Sequence, residues 1–137
     1  YNKNWMCPPA VGNVEDLISS LSLYKGGILI QSIHNISDSY DIEGMGEAKK
    51  IHDNVMSEIK SFLEKDNGFK NLLVLSIGEC AVCKECTYIK NEPCRLPDKA
   101  IASVESYGID VNAVLLNCGL NYNNGVNTVS YIGIVMK

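Results

Sequence analysis

Two short apolar segments flank a long amphipathic stretch, and this arrangement constrains the fold more than any other feature of the sequence. Residues 28–33 are rich in β-branched side chains, and residues 72–77 form an apolar run. Both segments are typical of strands buried inside a sheet. Residues 46–65 carry apolar side chains at intervals of three or four, which is the period of a helix that packs by one face. The apolar positions of that helix are Ala48, Ile51, Val55, Ile59, Phe62 and Leu63.

The order strand, helix, strand predicts a βαβ unit, in which the two strands run parallel and the connection between them is right-handed. The pair Asn67 and Gly68 is expected to end the helix before the second strand. Residues 128–136 are rich in β-branched and aromatic side chains, which predicts another strand. We therefore expect an α/β fold, with α+β as the alternative, in which helices pack on a small mixed sheet of three or more strands.

Capping signals predict three shorter helices around this sheet. Asn13 precedes a helix over residues 14–23, which has two carboxylates in its first turn. A second helix is expected over residues 98–107, and Asp110 caps a third. Cys118 lies on the apolar face of this third helix, so we expect its side chain to pack in the core.

The length and charge of the chain exclude several classes of protein. A chain of 137 residues has the size of one ordinary domain, so we expect a single domain over residues 1–137. It begins with Tyr1 instead of methionine, and we expect upstream residues in the full-length protein. The net charge of −4, without a Lys/Arg-rich stretch, argues against a nucleic-acid partner. No apolar run approaches the roughly 20 residues that span a bilayer, and the start lacks a signal-peptide pattern, so we expect a soluble, cytoplasmic protein without a membrane partner.

Four of the six cysteines lie close together after the second predicted strand. They are Cys80, Cys83, Cys86 and Cys94. Thiolates are soft, strongly donating ligands that select zinc, copper(I) or iron–sulfur clusters, and two-residue gaps allow consecutive thiolates to face one centre. In open α/β sheets, ligands collect beyond the carboxyl ends of the strands, because the sheet anchors the loops there. The sequence therefore predicts a metal site in this cysteine-rich loop, at the C-terminal edge of the second strand.

The spacing Cys80-x-x-Cys83-x-x-Cys86 favours a [4Fe–4S] cluster as the cofactor. In bacterial ferredoxin sequences, three thiolates at this spacing hold three irons, and a distant cysteine holds the fourth. Cys94 is the expected fourth ligand because it is the closest in sequence. Cys7 competes with it, for this site or for another one, because a Cys-Pro pair is typical of the end of a ferredoxin motif. Zinc is the alternative metal, although tetrahedral zinc sites more often pair two separated Cys-x-x-Cys or Cys/His motifs.

Interpretations without a metal also exist for these residues. Six cysteines could form three disulfides, but that pattern suits small secreted domains with poor cores, whereas this chain has long apolar segments. The loop could also carry reduced thiols that bind nothing. His34 and His52 have no partner at a ligand spacing, so we interpret both as structural or surface histidines instead of ligands.

Four segments together carry a family resemblance. They are Trp-Met-Cys-Pro-Pro at residues 5–9, the cysteine motif with Pro-Cys-Arg-Leu-Pro at residues 93–97, Ser-Val-Glu-Ser-Tyr-Gly-Ile-Asp-Val at residues 103–111 and Tyr-Asn-Asn-Gly at residues 122–125. Over nearly the whole chain, the sequence resembles a cysteine-rich family of unknown function, described as predicted metal-binding proteins and found mostly in anaerobic bacteria and archaea. The resemblance implies metal or iron–sulfur binding and no established reaction. It also implies further cysteines just before the Trp-x-Cys-Pro-Pro segment, which are absent from this sequence.

Two functions are consistent with a thiolate site of this kind. The first is a redox accessory, in which the cluster passes single electrons to a partner protein or serves that partner as a sensor. The second is a structural zinc module whose function is protein binding. An enzymatic interpretation, with an open iron site that binds a small substrate, stays open, but the sequence offers neither an acid/base partner nor a nucleophilic triad for it.

Overall fold

The computed structural model describes residues 1–66 and 71–137, and the predicted helix stop at Asn67 and Gly68 lies outside this part. The α-helices of the described residues are α1 (Val14–Ser20), α2 (Ile42–Glu64) and α3 (Val111–Asn117). The strands are β1 (Gly27–Asn35), β2 (Leu73–Ser76), β3 (Ala102–Ser103) and β4 (Thr128–Met136). Short 3₁₀ helices cover Leu21–Leu23, Thr87–Lys90 and Val104–Tyr107. In this part of the chain, no helix has the combined length and hydropathy needed to cross a membrane.

Side-chain caps start the α-helices. Asn13 accepts hydrogen bonds from two backbone N–H groups of α1, and Asp110 accepts one from α3, which confirms both predicted starts. The long helix α2 begins at Ile42, before the predicted start at residue 46. The reason is that Asp41 also acts as a cap and accepts the N–H of Gly44 at 2.8 Å.

Within the described residues, the four strands form one mixed sheet in the order β1-β4-β2-β3. β4 is antiparallel to both of its neighbours, and β2 is parallel to β3. This arrangement confirms the predicted α/β class with a small mixed sheet. The predicted βαβ unit is not confirmed as a pair of neighbouring strands, because β4 lies between β1 and β2. The two strands still run in the same direction, since each is antiparallel to β4.

Both faces of the sheet are covered at β2 and β4, which explains why these strands carry apolar side chains at successive positions. The sequence predicts a buried strand at residues 28–33 as well, but β1 lies at the edge of the sheet and none of its residues is buried. On one face, Met56 of α2 is fully buried and packs with Val74 and Val135. On the other face, Leu75 and Ile134 pack with side chains of α1 and of the 3₁₀ helix that follows β3. Neighbouring residues of one strand therefore contribute to two different hydrophobic cores.

The buried face of α2 differs from the face that its apolar residues predict. Some of the predicted positions, such as Ala48, are buried. The predicted positions that are exposed instead are Ile51, Val55 and Phe62. In their place the helix buries the polar residues His52, Asp53 and Ser57. Burial of these polar groups is tolerated because each forms a hydrogen bond with a neighbouring segment.

Two predictions about the C-terminal half are wrong. Residues 98–107 do not form one helix, because β3 and a 3₁₀ helix occupy the second half of this segment. The side chain of Ser103 accepts the N–H of Ser106 and so starts a new turn at this point. Cys118 is exposed, whereas the sequence predicts a core position. It is the C-cap residue that follows α3, in which only Leu115 is buried.

Candidate metal centre

The cysteine-rich loop starts where β2 ends, as the sequence predicts. Ser76 is the last residue of β2. Gly78 then turns the chain with a φ of 73°, in the left-handed region that glycine enters without steric cost. Both carboxylate oxygens of Glu105 accept the N–H of Gly78, at 3.0 and 3.1 Å. The left-handed conformation of Gly78 and the carboxylate of Glu105 therefore fix the direction in which the loop leaves the sheet.

Gly78→Ala is expected to lower the free energy of unfolding by about 1 kcal/mol, because the Cβ of alanine makes a left-handed backbone conformation unfavourable. The nearest atom to an added Cβ is Cε of Lys49, at 3.7 Å, so the effect reports backbone strain without a clash. Gly46→Ala inside α2 is the matched control, since nothing lies within 4 Å of its added Cβ. It is expected to raise the same quantity by up to about 1 kcal/mol. Urea denaturation measures both signs, and two changes of equal sign would contradict this explanation.

One pocket gathers the four cysteines of the predicted site. Cys80, Cys83, Cys86 and Cys94 all line it, and each of them is half-buried. Its cavity volume is about 20 Å³, which is enough for one particle of the size of water. The other lining residues are Asn4, Trp5, Met6, Val82, Thr87, Arg95, Leu96 and Ala100. The residues that were selected by their spacing therefore surround one common space.

Four cysteine thiols are ligands that suit a soft metal, but in this structure they are not arranged as a coordination sphere. Across residues 1–66 and 71–137, no group of three or more His, Cys, Asp or Glu side chains is arranged to hold a metal ion. All six cysteines are free thiols. Burial raises the pKa of the Cys80 thiol, although backbone hydrogen bonds partly oppose this effect. Since metals bind the thiolate, a metal that binds here has to displace the Cys80 proton.

The N-terminal segment packs against the cysteine-rich loop at two points. Asn4, which is 4% exposed, donates from Nδ2 to the carbonyl oxygen of Cys80 at 3.2 Å. Trp5 donates from Nε1 to the carbonyl oxygen of Glu92 at 2.9 Å. Its ring also meets the ring of Tyr88 edge-on, with 4.9 Å between the centroids. Residues far upstream therefore hold the loop near its start and near its end, which cysteine spacing does not predict.

Two hydrogen bonds inside the loop bring its later cysteines together. Thr87, which follows Cys86, donates from Oγ1 to the carbonyl oxygen of Pro93 at 2.9 Å, and Pro93 precedes Cys94. Arg95 donates from Nη1 to the backbone carbonyl that precedes Cys86, also at 2.9 Å. Both neighbours of Cys86 in the sequence are therefore hydrogen-bonded to the neighbours of Cys94. This explains how a longer gap in sequence still places Cys94 on the same pocket.

Cys7, the competing fourth ligand, lies apart from this pocket. It lines a neighbouring groove together with Glu79, Ser103 and Glu105, and it is 7% exposed. Burial raises the pKa of the Cys7 thiol, and a hydrogen bond with Ser103 partly opposes this effect. Cys94 therefore shares a pocket with Cys80, Cys83 and Cys86, whereas Cys7 does not.

Asp53 is a residue of this region that the sequence interpretation missed. It lies on α2, is 0% exposed, and pairs with Lys49 at 2.6 Å. It also accepts the hydroxyl of Ser76 at 2.7 Å and the backbone N–H of Ala81, inside the loop, at 2.8 Å. The available signal was a pair of opposite charges at positions i and i+4 that interrupts the core-facing side of a helix. Such a pair is usually interpreted as a solvent-exposed salt bridge, so the pattern alone does not identify Asp53 as a buried residue beside the loop.

A second buried polar group lies on the same helix. His52 is 1% exposed, and its Nδ1 shares a hydrogen bond with the hydroxyl of Ser32 at 2.6 Å. Nε2 of His34 contacts the same hydroxyl at 2.9 Å, and the backbone of Ile132 lies beside the imidazole of His52. Burial lowers the pKa of His52 from 6.5 to about 4, and the negative charge of Asp53 partly opposes this shift. The imidazole of His52 is therefore neutral at physiological pH.

His52 is expected to make folding sensitive to acid between pH 6.5 and about 4. In this interval the unfolded chain binds a proton at His52 and the folded chain does not, so falling pH favours unfolding. At 1.36 kcal/mol per pKa unit, the loss amounts to about 3 kcal/mol of the free energy of unfolding. Above pH 6.5 both states are neutral, and the full stability is present.

Urea denaturation at a series of pH values measures this dependence. His52→Gln should reduce the slope between pH 6.5 and about 4, because glutamine does not titrate there. His34→Gln is the matched control on the same hydroxyl, and it should leave most of the contribution of His52 in place, because burial is the main cause of the lowered pKa of His52 and His34 a minor one. An acid slope that is identical in His52→Gln and in the unmodified chain would show that His52 is not held neutral by burial.

The described fold and pocket together define a class of protein. They form a cysteine-rich α/β protein with a thiol-lined pocket at the end of a sheet strand. The chain belongs to the family described as "Predicted metal-binding protein (DUF2284)", whose family model matches residues 1–137. The resemblance inferred from the sequence motifs is thereby confirmed. No curated protein and no solved structure matches the chain.

Proposed function

We propose that Cys80, Cys83, Cys86 and Cys94 bind a [4Fe–4S] cluster, and that the protein is a cytoplasmic redox or electron-transfer accessory. The observation that carries this proposal is the single pocket that all four cysteines line. Their Cys-x-x-Cys-x-x-Cys spacing supports a cluster over an isolated ion, because bacterial ferredoxin sequences use the same spacing. Membership of a family described as metal-binding supports the coarser part of the proposal.

The residues around the pocket are suited to hold and tune such a centre. When bound, the cluster supplies one-electron chemistry. Trp5, Met6 and Leu96 line the pocket with apolar surface, which limits the access of water. Arg95 lines it as well, and its positive charge favours the more negative, reduced state of a centre held by thiolates. A redox partner protein would exchange electrons with the centre at this side of the molecule.

A structural zinc module for protein interaction is the alternative, and the size of the pocket favours it. A cavity of about 20 Å³ accommodates one ion. A cube of four irons and four sulfides is larger than one ion, so a cluster would occupy the open side of the pocket as well as this cavity. One zinc held by four thiolates would fasten the loop to the end of β2 and fix the surface that it presents to a partner.

Metal and sulfide analysis of protein purified without oxygen separates the two functions. A brown protein with about four irons and about four acid-labile sulfides per chain is the result expected for the cluster. A colourless protein with about one zinc and no sulfide selects the zinc module. Reduced protein that takes up neither zinc nor an iron–sulfur cluster under reconstitution contradicts both.

A further inference from the structure

The peptide group that joins Cys80 to Ala81 is held at both of its polar atoms by buried side chains. Its carbonyl oxygen accepts from Nδ2 of Asn4 at 3.2 Å, and its N–H donates to Oδ2 of Asp53 at 2.8 Å. Asn4 is 4% exposed and Asp53 is 0% exposed. Rotation of this peptide plane would break a partly buried hydrogen bond on each side and leave the buried side chains of Asn4 and Asp53 without these partners. The orientation of the backbone at Cys80 is therefore fixed.

Asp53 is itself fixed by partners on the sheet and on its own helix. Oδ1 accepts from Oγ of Ser76, the last residue of β2, at 2.7 Å. Oδ2 accepts from Nζ of Lys49, one turn earlier in α2, at 2.6 Å. The ammonium compensates the carboxylate, so the pair adds no net charge beside the thiols of the loop. The start of the cysteine-rich loop is thus positioned relative to the sheet and to the long helix.

We propose that Asp53 is a positioning residue for the metal site, which acts by accepting the N–H of Ala81 and thereby sets the direction of the Cys80 side chain. This inference rests on the proposed function, since it assigns to Asp53 the orientation of one of the four ligands. Asp53 does not line the pocket and acts only through the backbone. Hydrogen bonds that orient metal ligands from outside the coordination sphere typically change metal affinity by about 10–100-fold.

Two double variants of the full chain separate the hydrogen bond from the charge pair. Lys49→Met with Asp53→Asn removes both charges but keeps a side-chain oxygen that accepts the N–H of Ala81. Lys49→Met with Asp53→Leu removes both charges and also the acceptor, with a side chain that branches at the same carbon but is larger. Removal of both charges avoids an unpaired buried ammonium, which would destabilise the fold for an unrelated reason. The probe is Co(II) added to reduced protein without oxygen, because its visible bands report the number and arrangement of thiolate ligands.

The two variants are expected to differ although they carry the same charge. In the Leu variant, Co(II) should bind about 10–100-fold more weakly than in the unmodified chain, with altered visible bands. In the Asn variant, the affinity should stay within about threefold of the unmodified chain, with unchanged bands. Equal affinities in the two variants, both high or both low, would overturn the proposal, since the acceptor would then have no effect.

Amide hydrogen exchange of the metal-free chain distinguishes failure of this inference from failure of the proposed function. An unmodified chain that shows no thiolate–Co(II) band and takes up no iron–sulfur cluster on anaerobic reconstitution would refute the proposed metal site, whatever Asp53 does. The Ala81 amide should exchange slowly in the unmodified chain and in the Asn variant, and at least about tenfold faster in the Leu variant. Fast exchange at Ala81 in the unmodified chain would overturn the positioning role even if all four cysteines bind metal.

Discussion

Cys83→Ser is expected to lower the affinity for Zn(II) at least about 100-fold and to prevent assembly of a stable iron–sulfur cluster. Structural zinc sites bind with about 10–16 kcal/mol in total, so one of four thiolates accounts for about 3 kcal/mol. A serine hydroxyl is neutral at pH 7 and is a much harder ligand than a thiolate. Competition with a chromophoric chelator measures the zinc affinity, and iron content after anaerobic reconstitution measures the cluster. The same losses are expected for Cys94→Ser, which lines the same pocket.

Two other cysteines provide matched controls for this expectation. Cys118→Ser changes an exposed thiol at the end of α3, outside the pocket, and should change the affinity by less than about twofold. Cys7→Ser tests the competing fourth ligand, and metal binding should persist because Cys7 lines the neighbouring groove. Metal binding that is lost in Cys7→Ser and kept in Cys94→Ser would reverse the assignment of the fourth ligand.

Local sequence patterns predicted the individual helices and strands better than they predicted how these elements are arranged in the fold. The caps at Asn13 and Asp110 identify two helix starts correctly, because a cap depends on residues within one turn. The position of β4 between β1 and β2 depends on pairing between segments far apart in the chain, and periodicity carries no information about it. The start of α2 was placed too late because two glycines near Asp41 resemble a loop, although the aspartate caps the helix before them. The two-residue strand β3 is too short to produce a pattern of its own.

The same division holds for the candidate site. The four cysteines could be selected from the sequence, because their residue type and spacing express the chemistry directly. The contacts that support these cysteines could not be selected from the sequence. Asn4 is hydrogen-bonded to Cys80, which lies 76 residues away in the sequence, and Asp53 to Ala81, which lies 28 residues away. Neither contact has a spacing that a single sequence reveals, so the ligands were predictable and the residues that position them were not.

Asp53→Asn alone is expected to lower the free energy of unfolding of the metal-free chain by about 3–5 kcal/mol. The carboxylate is 0% exposed, and its partner Lys49 has a side chain that is 12% exposed. Loss of the negative charge leaves a nearly buried ammonium without a counter-ion, and this costs more than the pair itself contributes. Urea denaturation in the presence of a chelator and a reductant measures the change without any contribution from bound metal.

Glu85→Gln is the matched control, because Glu85 pairs with Lys90 at 3.2 Å while their side chains are 52% and 54% exposed. An exposed pair contributes about 0–1 kcal/mol, so this variant should stay within about 1 kcal/mol of the unmodified chain. Lys49→Met added to Asp53→Asn should recover most of the lost stability, because the cost comes from the unpaired cation and not from the missing pair. If Asp53→Asn costs no more than Glu85→Gln, the Lys49 ammonium reaches water in the folded chain, and the cysteine-rich loop is not anchored by a buried charge pair.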